Sequence, residues 1–200
     1  MIMPIHLYGA AVWNGPVREI DGAGDKLVRL VRDMFETMHE SDGVGLSATQ
    51  VGLRFALAVI DLSDVKGRET EKPLVVINPE ILESGGESVM DEGCLSIPGI
   101  RAEVARAETV VVRFRDGSFR WVEAEFTGMP ARVFQHEYDH LHQKFFVDRL
   151  SGVKRQLIKP KLSKIRRGEA VARYPVLSAA DEKRTKRARA VEYDFYGRGK

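Results

Sequence analysis

A single cysteine, Cys94, stands in 200 residues. It excludes an internal disulfide, agrees with a reducing compartment, and leaves one thiol whose presence needs a reason. Long apolar runs are missing as well. No stretch approaches the roughly 20 residues that a helix needs to span a bilayer, and the opening MIMPIHLYGAAVW is apolar in places but has no cationic leader. A soluble cytoplasmic protein without membrane association is therefore expected. The chain also lacks internal repeats, low-complexity segments and any aromatic-interleaved signature of RNA binding. What remains is ordinary globular composition, 44% hydrophobic and 30% charged, enough for one core.

The net charge of +2 conceals an uneven distribution. Residues 1–150 hold 16 Lys and Arg against 24 Asp and Glu, while residues 151–200 hold 15 against 5, a net of −8 followed by +10. The expected organisation is one domain over 1–150, a basic helical extension over 151–174 and a flexible basic tail over 175–200. Such a basic segment is either a solvated surface or a contact for an anionic partner such as RNA.

Along the chain, Leu27, Leu30, Val31, Met34, Phe35 and Met38 form one apolar stripe at helical spacing, and Gly43 is expected to end that helix with a positive φ. RFALAVIDL and KPLVVINPEIL read as strands, the second with a proline-broken edge. TVVVRFRDG and SFRWVEAEF read as a hairpin about an Asp116-Gly117 turn. ARVFQHEYDHLHQKFF returns to helical spacing with Pro130 in its first turn. A further amphipathic piece is expected to stop at Pro160, and KLSKIRRGEAVARYP to be helical up to Tyr174. Short strands grouped between helices favour an α+β fold over alternating βαβ units.

On a helix, His136 and His140 are four apart and project from the same face, so both can reach one cation. Glu137 lies between them angularly, placed to hold a water as general base without ligating the ion. His142 is two positions off that face and reads as surface. A catalytic ion needs a third protein ligand and an open position. Two donors are available in the sequence: Glu169, as a zinc endopeptidase would use, or Cys94 in DEGCLSIPG, whose glycine and proline brackets can fix a tight path. A third reading is a non-catalytic binding protein whose basic tail contacts RNA.

GVGLSATQ at 43–50, EGCLS at 92–96 and QHEYDHL at 135–141 resemble the three motifs of the peptide deformylases, in the family's order. The resemblance implies an α+β fold of short antiparallel strands packed around a central helix that carries the HExxH motif, with a C-terminal helix. It further implies a hydrolase that releases formate from the formyl-methionine of nascent polypeptides. One divalent ion would be held by Cys94, His136 and His140, with Fe²⁺ favoured in the cell and Zn²⁺, Ni²⁺ or Co²⁺ compatible with the donors. Glu137 would act as general base and acid, Gln50 and the Leu95 N–H would stabilise an oxyanion, and Gly45 would let the chain approach the substrate. By their places in the motifs, Val44, Met90, Met129 and Val133 are candidates for the methionine pocket, and Glu92 with Arg106 for support of the ligands. The basic C-terminal segment is a candidate ribosome contact. Three positions depart from the family pattern. The Ser47 hydroxyl replaces a small apolar residue and needs a hydrogen-bond partner. Gln143 occupies a place commonly glycine, which bears on the local turn, and AVWNGPV matches the usual N-terminal segment poorly.

Overall fold

The apolar stripe of the first long periodic segment becomes α1, Asp25–Glu40, which buries Leu27, Leu30, Met34 and Met38 and half-buries Val31 and Phe35. These observations come from a computed structural model that describes residues 1–184. In chain order β1 is Ile5–His6, followed by α1, β2 (Gly45–Ser47), β3 (Leu57–Ile60), β4 (Leu74–Gly85), β5 (Ser88–Cys94), β6 (Ile97–Arg106), β7 (Thr109–Arg115) and β8 (Trp121–Thr127). Then come α2 (Met129–Leu141), α3 (Gly152–Arg166), β9 (Val176–Leu177) and α4 (Ala179–Arg184).

Five strands form an antiparallel sheet in the order β2-β3-β4-β7-β8. The β5–β6 hairpin stands apart from it, and β1 pairs in parallel with β9. Helix α2 packs Ala131, Val133 and Phe134 against Val110, Val112 and Phe114 of the sheet. Its other faces are buried too, although they carry Arg132, Gln135, His136, Glu137, Asp139 and His140. A buried helix face that is polar needs partners for every group, and the site below supplies most of them. Among the described residues no helix is long and apolar enough to cross a membrane.

Several element ends differ from the sequence reading. The left-handed residue after α1 is Asp42, with φ 55°, whereas Gly43 serves close packing: a Cβ there would stand 2.9 Å from Leu95 Cδ1 and 3.3 Å from the Met38 carbonyl. The β7–β8 connection spans residues 116–120, with Phe119 rather than Gly117 at positive φ, and the Asp116 carboxylate accepting from the Ser118 and Arg120 amides. Strand β4 continues past Pro79 by shifting register against β7 between Ile77 and Glu80. Helix α3 runs through Pro160 and stops at Arg166, well before Tyr174. Pro160 and Gln156 are exposed, so water can serve the carbonyl that the proline leaves unbonded. Past Pro175 the chain is structured again as β9 and α4, held by Leu7 N donating to Leu177 O at 2.9 Å and Ala11 N donating to Glu182 at 2.7 Å. The rest of the expected tail, 185–200, lies outside the described residues.

Candidate metal centre

Cys94 ends β5 where the hairpin register shifts, so its thiol is set by a local irregularity instead of the regular pleat. His136 and His140 project from α2 one turn apart, their rings nearly perpendicular at 86° with centroids 4.7 Å apart. Cys94 Sγ lies 3.2 Å from His140 Nε2. One donor atom from each of Cys94, His136 and His140 falls within 4.8 Å of the others, and among the described residues no other group of three such donors gathers this way. A soft thiolate with two imidazoles would suit Zn²⁺, Fe²⁺, Co²⁺ or Ni²⁺, and three protein donors would leave room for water or substrate on the ion. Glu137 adds a second indication: its carboxylate is buried and Oε2 has no hydrogen-bond partner, which a dry site would penalise. The residues present fit a divalent cation.

The imidazoles are oriented from behind. His136 Nδ1 pairs with Glu92 Oε2 at 2.9 Å, and His140 Nδ1–H donates to the Lys144 carbonyl at 3.0 Å, which leaves both Nε2 atoms for the cation side. Glu92 is itself held by Arg106 at 2.6 and 2.9 Å and by Arg132 at 2.8 Å. Arg106 passes on to Asp139 at 2.6 Å, which Arg149 also grips at 2.6 Å. Burial works against the Glu92 charge, but hydrogen bonds from His136 and Arg106 outweigh it and hold this carboxyl far below the usual range. Burial likewise opposes a charged His136, yet Cys94 and Glu92 on either side raise its pKa to about 10. His140, buried and beside His136, is pushed well down and is held neutral. For Glu137 burial dominates and lifts the pKa to about 7.

Gln50 is fixed by the residue that departs from the family pattern. Its Oε1 accepts from Ser47 N at 2.9 Å and Ser47 Oγ at 3.1 Å, so Nε2 points to Cys94 Sγ, 3.7 Å away. The Ser47 hydroxyl thus finds its partners, Thr49 Oγ1 at 2.9 Å included. The open side of Gly45 faces Glu137: a Cβ would come 2.6 Å from Oε1 and 2.9 Å from Val133 Cγ1. Sequence reasoning gave this glycine to the substrate; its tightest contact is with the buried carboxylate. Cys94, His136, Glu137, Gln50 and Leu95 open onto a groove of about 500 Å³.

The chain matches the family model described as polypeptide deformylase over residues 2–156. It is 41% identical to the peptide deformylase of Chlorobium limicola over 177 residues, 88% of this chain and 96% of the relative. The chain belongs to the peptide deformylase family. These deformylases are metal-dependent hydrolases, and Cys94, His136 and His140 form a donor group in this one that could hold the ion. Among solved structures, the Legionella pneumophila peptide deformylase superposes with a TM-score of 0.76 at 38% identity, covering 88% of this chain and all of that one. An Arabidopsis thaliana peptide deformylase 1B bound to an inhibitor gives 0.77 at 36%, covering 83% and 91%.

Within this deformylase, Val44, Met129 and Val133 line the groove and also pack against the core. Met90 is not among the lining residues; it sits half-buried in mid-strand on β5 opposite Val104, farther along the strand than the lining residues Glu92 and Cys94. Glu169 pairs with Arg167 just past the end of α3 and joins no donor cluster among the described residues, which removes the endopeptidase ligand set. His142 is exposed, its Nδ1 donating to the Tyr138 carbonyl. Gln143 takes a left-handed φ of 55°, as a glycine would. Sequence reasoning missed Arg132, Asp139 and Tyr174. Arg132 stands one turn before His136, and that i−4 spacing was a usable signal; Tyr174 gave none.

Proposed function

We propose that this deformylase removes the formyl group from the N-terminal formyl-methionine of newly made polypeptides in the cytoplasm and releases formate. The carrying observation is the meeting of Cys94 Sγ with two imidazoles beside a buried, half-unpartnered Glu137. Cys94, His136 and His140 hold one divalent cation, Fe²⁺ by the family's habit, which supplies Lewis acidity that lowers the pKa of water and polarises a carbonyl. Glu137 takes the proton of the attacking water and returns it to the leaving amine; burial raises its pKa and so strengthens it as a base. Gln50 Nε2, aimed by Ser47, and the Leu95 N–H donate to the carbonyl oxygen as charge develops there.

Val44, Met129 and Val133 supply apolar surface for the methionine side chain. The restricted space between Gly45, Leu95 and the metal ligands admits the formyl hydrogen and excludes a methyl group. The exposed cations of α3, Lys154 and Arg155 among them, are the surface we assign to contact with ribosomal RNA. The test is formate release from a formyl-Met peptide by protein prepared without air, with the acetylated peptide as control. Metal-loaded protein that frees no formate overturns the assignment, and equal cleavage of both peptides overturns the steric argument.

A further inference from the structure

The family match ends at residue 156, yet the groove does not. After α3 the chain turns at Gly168, and Val171, Ala172, Arg173 and Tyr174 come back to line the same groove as Cys94 and Glu137. Tyr174 does more than line it: its hydroxyl donates to the Leu95 carbonyl at 2.8 Å while its ring packs against the core beneath α1. One residue further on, Ser96 O accepts from Tyr8 N at 2.8 Å. The turn that carries Cys94 and Leu95 is thus pinned twice from outside. The two pins belong together, since Tyr8 follows β1 and Tyr174 precedes β9, and these strands pair Ile5 with Val176. Ile5 N donates to Pro175 O at 2.9 Å, directly beside Tyr174.

We propose that Tyr174 is a positioning residue for deformylation, holding the Cys94–Leu95 turn in register through the Leu95 carbonyl, and that the returning segment 169–177 is a working part of this active site. The inference rests on the assignment of the Leu95 N–H to the developing oxyanion. A hydrogen bond to the Leu95 oxygen fixes the rotation of the adjoining backbone, and so the direction of the N–H and the reach of the Cys94 sulfur. Loss of the bond costs transition-state alignment more than substrate binding, because a donor displaced by a few tenths of an ångström still admits the peptide.

The experiment compares full-length Tyr174→Phe with the wild type, both loaded with Co²⁺. The phenyl ring keeps the packing. Expected are a fall in kcat of about tenfold with KM within about twofold, and a shift of the sulfur-to-cobalt absorption band, which reads the Cys94 geometry without any turnover. Unchanged kcat with an unchanged band overturns the proposal, as does a rise in KM alone, which would make Tyr174 mere groove wall. If wild-type protein frees no formate but the band still shifts in Tyr174→Phe, the oxyanion assignment fails while the pinning of the turn stands.

Discussion

Replacing Glu137 by Gln should kill the enzyme and stabilise the metal-free fold, two effects with one cause. The carboxyl is buried, one of its oxygens has no partner, and its pKa rises from 4.5 to about 7. That rise is worth about 3–4 kcal/mol of preference for the neutral form, at roughly 1.4 kcal/mol per pH unit. An acid whose pKa is raised by folding binds its proton more tightly folded than unfolded. Its penalty is therefore absent below pH 4.5, grows as pH rises, and is complete above about 7. Gln is neutral throughout and nearly the same shape, although its own amide is costly to bury and offsets part of the gain. Chelator-treated Glu137→Gln should melt about 3–10 °C above chelator-treated wild type at pH 8. The two should converge near pH 5. Turnover of the metal-loaded variant should fall at least about a hundredfold. Calorimetry across that pH range is the assay. Parallel melting curves at pH 5 and pH 8 would refute the claim that ionised Glu137 strains the fold, and a metal-loaded, active variant would refute its role as base.

Arg106→Met leaves Glu92 and Asp139 buried without their shared cation and should cost about 3–5 kcal/mol in urea denaturation at pH 7. Both carboxyls have depressed pKa values, so this contribution is present above their ordinary range and should shrink as pH falls toward 3; a pH-independent loss would argue against the network. Metal capture should release protons, because interactions with Cys94 and Glu92 raise the His136 pKa to about 10 and the ring must be neutral to ligate. Titration calorimetry in buffers of different ionisation enthalpy should show it, and identical heats would contradict it. Gly45→Ala drives a methyl into Glu137 and Val133 and should cost about 1–3 kcal/mol together with most of the activity. Gln143→Gly should leave kcat unchanged and raise stability by up to about 1 kcal/mol, since it relieves a left-handed side-chain residue; a lower melting temperature would locate the strain elsewhere.

Helix α1 was legible because its apolar stripe is a local pattern, and α2 because Pro130 marks its start and the histidine pair its face. The meeting of Cys94 with His136 and His140 was legible through three co-occurring motifs, not through spacing, which left Glu169 open beside Cys94. Element ends were harder to read. Asp42 and Gln143 take conformations expected of glycine, while Gly43 and Gly45 serve as space for Leu95 and Glu137, a need set by residues distant in the chain. Pro160 misled because α3 is exposed there, and an exposed helix can continue through a proline when water serves the freed carbonyl. The partners of Glu92 were half visible: Arg106 was named, whereas Arg132 approaches from α2 and required the packed fold to be seen. Nothing local announced that Tyr174 would return to Leu95.

The pairing of Ile5 with Val176 sets the order in which the molecule can be completed. A polypeptide that emerges from its amino end exposes β1 long before the complementary stretch has been made, and closing so large a loop is slow compared with forming hairpins. Until β9 arrives, Tyr8 and Tyr174 cannot grip the bend between them from both sides. Maturation of the active site is thereby tied to the arrival of β9, and a polypeptide that ended before Tyr174 would hold most of the fold around an unfinished catalyst.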